Sequence, residues 1–148
     1  MGKNKTDIFI TWSEEETLAV GKRIAEAAKP GQVYALEGDL GTGKTVFARG
    51  FAKGLKIAGP ISSPTFTILQ VYEQGDIPLY HFDVYRIEEP QEMDEIGYED
   101  YFFGDGVCLV EWASQIEELL PADVVRISIE KDPEQGFDYR KITVVSAE

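Results

Sequence analysis

One octapeptide constrains this chain more than any other feature: Gly38-Asp39-Leu40-Gly41-Thr42-Gly43-Lys44-Thr45. It satisfies in full the pattern of a glycine, any four residues, then glycine, lysine and serine or threonine. The apolar run Val33 to Leu36 precedes it. An amphipathic stretch from about Gly43 to Lys56 follows, with Val46, Phe47, Gly50, Phe51, Gly54 and Leu55 on one face and Arg49, Lys53 and Lys56 on the other. Strand, glycine-rich turn and helix in this order let the backbone curl until successive N–H groups point inward and form a nest for an anion. The helix N-terminus adds its partial positive charge. In such a loop Lys44 reaches the β- and γ-phosphates of a nucleotide, and the Thr45 hydroxyl is offered to Mg2+. All eight residues are therefore expected to belong to a nucleotide-phosphate site.

A phosphate loop gives nucleotide binding without saying what the nucleotide is for. Hydrolysis or transfer needs carboxylates beside the loop, and in a wound sheet ligands sit off the carboxyl ends of the strands. Two carboxylates end apolar runs in that manner. Glu111 closes Val107-Cys108-Leu109-Val110, the place where such proteins usually carry an aspartate for the metal, and Asp83 follows Leu79-Tyr80-His81-Phe82. Either can hold Mg2+ through water or orient the attacking nucleophile; either can also merely cap the next turn. His81 shares a strand face with Asp83. It reads as a structural histidine, with a proton partner as the alternative. Cys108, inside the apolar run, reads as core. Trp112 follows Glu111 and either packs at the mouth of the site or buries its ring. In Ser62-Ser63-Pro64-Thr65-Phe66, a hydroxyl can sense a γ-phosphate, as switch-loop threonines do, or cap a proline turn.

The rest of the chain reads as alternating strands and helices closed by a hairpin. Ile8 to Trp12 is a short strand, and Ser13 with Glu16 gives the spacing of a capping box for a helix that Pro30-Gly31 stops. Thr67 to Tyr72 and Leu79 to Ile87 are expected strands around Gln74-Gly75-Asp76. Pro90 to Phe103 is an expected helix with Met93, Ile96, Gly97 and Tyr101 inward. Val107 to Glu111 is a buried central strand. A short helix runs to about Leu120, and Val124 to Glu130 and Arg140 to Val145 form a closing hairpin. The expected architecture is a three-layer α/β domain with a mixed sheet, residues 1–148 forming one unit, as the 148-residue length favours.

Charge and cysteine usage narrow the function classes. The chain carries 27 acidic and 14 basic residues, a net charge of −13. This argues against a stand-alone nucleic-acid binder, whose affinity comes mainly from neutralised phosphates, but not against a partner of one. The surplus is uneven: no lysine or arginine lies between Arg86 and Arg126, a stretch that is either a solvated acidic face or a docking surface for a basic partner. One cysteine, Cys108, allows no intrachain disulfide and fits a reducing compartment. No run approaches the ~18 apolar residues of a membrane span. Met1-Gly2-Lys3-Asn4-Lys5-Thr6 fits the loose myristoylation pattern, and Asn4-Lys5-Thr6 a glycosylation sequon. Neither is adopted, the second because no apolar signal region follows Met1.

Together these motifs resemble one family. The octapeptide, Ser63-Pro64-Thr65-Phe66-Thr67, His81-Phe82-Asp83-Val84-Tyr85-Arg86 and Leu109-Val110-Glu111-Trp112 stand in the order and spacing of TsaE, also called YjeE or YdiB. That is the small bacterial ATPase of tRNA threonylcarbamoyladenosine synthesis, and the likeness runs from about Ser13 to Trp112. It implies a P-loop NTPase fold and cytoplasmic ATP binding and slow hydrolysis with Mg2+. It also implies association with the TsaB and TsaD proteins, which modify the adenosine beside the anticodon, tRNA being met through that complex. Carried over by position, Lys44 holds phosphates, Thr45 and Glu111 bind the metal directly or through water, and Asp83 is the catalytic carboxylate, beside the metal. Thr65 senses the γ-phosphate, and Trp112 lies near the nucleotide. Thr17 matches a threonine that approaches the base, and is otherwise a plain helix-face residue. Glutamate instead of aspartate at position 111 agrees with this family.

Two other classes compete. A small metabolite kinase closes an arginine-bearing lid on the phosphates; here Arg86 is the only basic residue between Lys56 and Arg126, so such a lid has no residues to build it. A switch protein would use ATP binding alone to open or close a partner surface.

Overall fold

A computed structural model describes residues 4–38, 42–58 and 68–147. Among the described residues seven strands form one sheet: β1 (Asn4–Thr11), β2 (Val33–Glu37), β3 (Leu69–Tyr72), β4 (Leu79–Asp83), β5 (Val107–Glu111), β6 (Val125–Glu130) and β7 (Arg140–Ala147), in the spatial order β1-β7-β6-β2-β5-β4-β3. The four inner strands β6, β2, β5 and β4 run parallel. β7 and β1 continue one side antiparallel, and β3 adds to the other side antiparallel. The sheet is thus mixed, and β6–β7 is the expected C-terminal hairpin.

Two cores make the three layers. On one face α1 (Glu14–Glu26) and α2 (Lys44–Gly54) pack Ala25, Phe47 and Phe51 against Tyr34, Leu36, Leu109 and Ile127. On the other, α3 (Glu92–Ile96), α4 (Tyr98–Phe102) and a 3-10 helix over Ala113–Leu119 press Met93, Phe102 and Ile116 onto Val33, Ala35, Cys108 and Val110. α1 and α2 touch through glycines: a Cβ on Gly50 would run into the Leu18 carbonyl, and one on Gly21 into that of Phe47. Among the described residues no helix is long and apolar enough to cross a membrane.

The elements differ from the sequence reading where local chemistry overrides periodicity. The expected helix over Pro90 to Phe103 is two single-turn helices, because Gly97 between them takes the left-handed conformation (φ 75°). The shift turns Phe102, not Tyr101, fully inward. The strand expected to reach Ile87 stops at Asp83, whose Oδ1 accepts the Tyr85 N–H (3.1 Å) and turns the chain. The helix after Glu111 is a 3-10 helix. Ser13 caps α1 by accepting the Glu16 N–H (3.1 Å), but Glu16 Oε1 reaches back one residue further than a capping box requires, to the Trp12 N–H (2.6 Å). β1 begins at Asn4, well before Ile8, because the hairpin strand β7 is long enough to pair with all of it. Thr67 lies outside the described residues, and the strand expected from it is present from Leu69.

Candidate nucleotide site at the carboxyl edge of the sheet

Parallel strands β2, β4 and β5 end together, so their last side chains share one edge with the N-terminus of α2. Asp83 of β4 pairs in register with Glu111 of β5, and Leu36 of β2 flanks Glu111 on its other side. Paired residues of a parallel ladder project to the same face; both carboxylates therefore lie on the α2 side. Gly43 caps α2 in the left-handed region (φ 98°), a geometry that favours glycine. Behind it, a Cβ on Gly38 would meet Thr42 Oγ1 at 2.7 Å and the Ile129 carbonyl at 2.9 Å, so glycine is required at the start of the loop by close approach.

These elements enclose a cleft of about 390 Å³. It brings together Thr17, Gly43, Lys44, Thr45, Asp83, Glu111 and Trp112 of the residues singled out by sequence. Gly38 and Thr42 lie behind Trp112, in a second hollow with Glu37 and Lys131. Asp39, Leu40, Gly41 and Thr65 lie outside the described residues. Thr17 is only 2% exposed, and its hydroxyl is 2.7 Å from that of Thr11, so it serves as part of the cleft wall more than as an open helix-face residue.

Charge within the cleft is layered by burial. Glu111 is 4% exposed and lies 2.6 Å, Oε2 to Nε2, from His81, itself 1% exposed. His81 is thus no fully satisfied core histidine: its other nitrogen, Nδ1, is enclosed without a partner among the described residues. Asp83 is half-buried, and loss of water raises its carboxyl above the ordinary carboxylate range; the Tyr85 N–H opposes this, and the Glu111 charge adds to it. A carboxylate in that condition accepts a proton more readily than an exposed one.

Lys44, 7% exposed, has its ammonium 3.5 Å from the centroid of the Trp112 indole. Trp112 itself adopts φ 62°, ψ 34°, a left-handed conformation that is strained for a bulky residue. The strain is held by its surroundings: the Trp112 N–H donates to the Leu36 carbonyl (3.3 Å), and the Tyr85 ring packs 4.9 Å away on centroids. This turn sets the Trp112 ring against Lys44 and along the cleft wall, partly exposed and not buried in the core.

Among the described residues, Glu14, Asp138 and Arg140 also line the cleft, carry no motif and went unnoticed in the sequence. Arg140 opens β7 and is the most engaged of them. Its Nε donates to the Thr42 carbonyl (2.7 Å), and Nη1 to those of Phe137 (3.0 Å) and Tyr139 (2.6 Å). The only sequence signal was its place at the start of the hairpin's second strand, which reveals nothing until the sheet order is known.

The donor set fits a magnesium nucleotide. A helix N-terminus with an ammonium beside it suits phosphate. A hydroxyl and one or two carboxylates are what Mg2+ takes from a protein when phosphate supplies the rest. Thr45 is exposed and lines the cleft, as do Glu111 and Asp83.

Known proteins share this chain's sequence and fold. The family model described as threonylcarbamoyl adenosine biosynthesis protein TsaE matches residues 11–142. A Bacillus subtilis protein named tRNA threonylcarbamoyladenosine biosynthesis protein TsaE is 53% identical over 133 residues, covering 90% of this chain and 81% of its own. A protein of the same name from Treponema pallidum is 39% identical over 81% of this chain and 88% of its own. The crystal structure of YdiB from Bacillus subtilis superposes with a TM-score of 0.79 at 45% identity, over 100% of this chain and 88% of that one. The likeness extends well past Trp112, to the strand that carries Arg140, and the chain belongs to the TsaE family.

Proposed function

We propose that this protein binds ATP with Mg2+ and hydrolyses it, slowly when alone, in the service of tRNA threonylcarbamoyladenosine synthesis in the cytoplasm. The observation that carries the reading is the convergence of Lys44, Thr45, Asp83 and Glu111 in one cleft at the N-terminus of α2. The names of its relatives support the pathway. The resemblance implies the TsaB and TsaD proteins as partners, with tRNA met through them.

Bound Mg2+–ATP supplies an electrophilic γ-phosphoryl group with its charge partly neutralised. The chain's own residues do the rest. The α2 N-terminus and Lys44 hold the phosphates, and Lys44 leaves the Trp112 ring to do so. Thr45 and Glu111 hold the metal directly or through water. Asp83 orients the attacking water and accepts its proton on Oδ2, since Oδ1 is engaged by the Tyr85 N–H. A low rate alone is in keeping with a stretch between Lys56 and Arg126 that offers no arginine finger in cis apart from Arg86.

ATP hydrolysis measured with and without the TsaB and TsaD proteins of the same organism tests this reading. Magnesium-dependent hydrolysis that rises when both are added, and is lost in Lys44→Ala, is the expected result. Undiminished hydrolysis by Lys44→Ala sinks the site; no association and no stimulation remove the partners. Efficient phosphate transfer to a nucleoside or sugar would favour a kinase instead. A Glu111→Ala protein that cannot hydrolyse ATP yet sustains the modification in cells would make it a binding switch.

A further inference from the structure

Glu111 has two oxygens, and only one of them faces an open task. Its Oε2 lies 2.6 Å from His81 Nε2, inside the sheet–helix interface, where both side chains are nearly inaccessible. We propose that His81 is a positioning residue for the nucleotide site: it fixes Glu111 so that Oε1 is presented to the cleft that Glu111 lines. The inference rests on the ATP-site reading above and assigns a role to a residue that reading leaves unused.

Two observations beside that contact carry it. His81, Asp83 and Glu111 come from adjacent parallel strands with Asp83 opposite Glu111, so the ring sits one step below both carboxylates on the same face. His81 Nδ1 is buried with no hydrogen-bond partner among the described residues, a cost of about 1–3 kcal/mol for a group placed there for packing alone. A buried polar pair of this kind is weak evidence for stability, because an apolar pair of equal volume is often as stable. What the pair supplies is orientation. With Nε2–H donating to the carboxylate, Nδ1 holds a lone pair and leaves no orphaned N–H, so this tautomer is the one the surroundings permit. A fixed donor on a metal-binding or water-binding carboxylate is the usual way its geometry is held, and removing such a partner typically costs 10- to 100-fold.

The test compares His81→Leu, His81→Gln and His81→Asn. Glutamine places an amide N–H near the Nε2 position, whereas asparagine falls short of it. Expected are a fall in kcat for ATP of about tenfold or more in His81→Leu, with KM changed far less, recovery of most of the rate in His81→Gln, and none in His81→Asn. In a Glu111→Ala background, His81→Leu should have almost no further effect, since the two act as one unit. His81 is the only histidine in the chain, so its imidazole N–H is unambiguous by NMR: a slowly exchanging Nε2 proton should be visible in the ligand-free protein and lost in Glu111→Ala. Should His81→Leu fail to fold, the contrast between glutamine and asparagine decides. A kcat unchanged in His81→Leu, equal losses in the glutamine and asparagine variants, or additive losses with Glu111→Ala would each overturn the inference. If the parent protein hydrolyses no ATP, the site reading fails instead, and presence or absence of the Glu111-dependent Nε2 proton still decides whether the pair is built as described.

Discussion

Arg140 Nε donates to the carbonyl of Thr42 at 2.7 Å, a contact between residues 98 positions apart that fastens the C-terminal hairpin to the phosphate loop. The same guanidinium spans the Phe137 and Tyr139 carbonyls, so it bridges the turn before β7 and the turn before α2. A hydrogen bond from a charged donor contributes roughly 1.5–3 kcal/mol. Arg140→Ala should therefore weaken ATP affinity by about tenfold or more by loosening the loop. Arg140→Lys should not restore it, because a single ammonium cannot serve three carbonyls in a planar fork. Calorimetric titration with ATP and Mg2+ measures both; unchanged affinity in Arg140→Ala would show that the hairpin leaves the loop's binding geometry alone.

Lys44 and Trp112 make a second prediction. The ammonium over the indole face is a contact of about 0.5–2 kcal/mol, which nucleotide phosphates readily outcompete. The chain has two tryptophans; Trp12 is exposed and packs edge-on against Tyr139. In a Trp12→Phe protein the remaining emission belongs to Trp112. It should change on adding Mg2+–ATP, and Lys44→Met should change it without nucleotide and make it insensitive to ATP. Identical emission in all four conditions would mean that the lysine does not rest on this ring in solution.

Most of the edge where these residues meet was legible in the sequence, because each element there announces itself locally. A strand, glycine turn and helix fix Gly43 to Thr45, and an apolar run closed by a carboxylate fixes Asp83 and Glu111. What stayed hidden depends on long-range register or on one backbone angle. Arg140 and Asp138 reach the cleft only because β7 lies between β1 and β6. Gly97 splits a helix that periodicity alone makes continuous, since hydrophobic spacing says nothing about φ. The His81–Glu111 pair required knowing that β4 and β5 are neighbours, and before that His81 looked like any half-apolar strand histidine.

The glycine contacts between α1 and α2 predict a stability effect remote from the chemistry. At Gly50 a Cβ would overlap the Leu18 carbonyl and crowd its Cα at 3.0 Å; backbone on a packed helix cannot yield as a flexible side chain can. Overpacking of this kind costs about 1–3 kcal/mol or more, against a gain in helix propensity of about 1 kcal/mol for replacing glycine by alanine. Overpacking wins, and Gly50→Ala should lower the melting temperature by roughly 2–8 °C. Thermal unfolding followed by circular dichroism reads the sign directly, and a raised melting temperature would mean that the helices part without cost.

Among the sheet acids that burial raises, Cys108 and Tyr34 are shifted furthest and make the fold less stable in alkali. Cys108 is pushed up to about 12 from 9.0, and Tyr34 to about 12 from 10.0, each by loss of water around the ionised form. A group whose folded pKa lies above its unfolded value contributes stability that is complete below the unfolded value and is lost as pH rises through the folded one. From about pH 9 upward the unfolded chain ionises Cys108 while the folded chain does not, so stability falls at up to about 1.4 kcal/mol per pH unit for that group. Tyr34 joins above about pH 10 with the same sign. Urea unfolding at a series of pH values should show Cys108→Ala losing stability more slowly than the parent between about pH 9 and 10, although it is less stable at neutral pH for want of the buried sulfur. Tyr34→Phe should lessen the remaining slope above about pH 10, part of which belongs to Tyr80 and Tyr98, raised in the same direction. The same burial keeps the thiol protonated at neutral pH, so iodoacetamide should label Cys108 only as fast as the protein unfolds. Labelling at the rate of a free thiol, together with parallel pH slopes for parent and Cys108→Ala, would place the sulfur in water and not in the sheet.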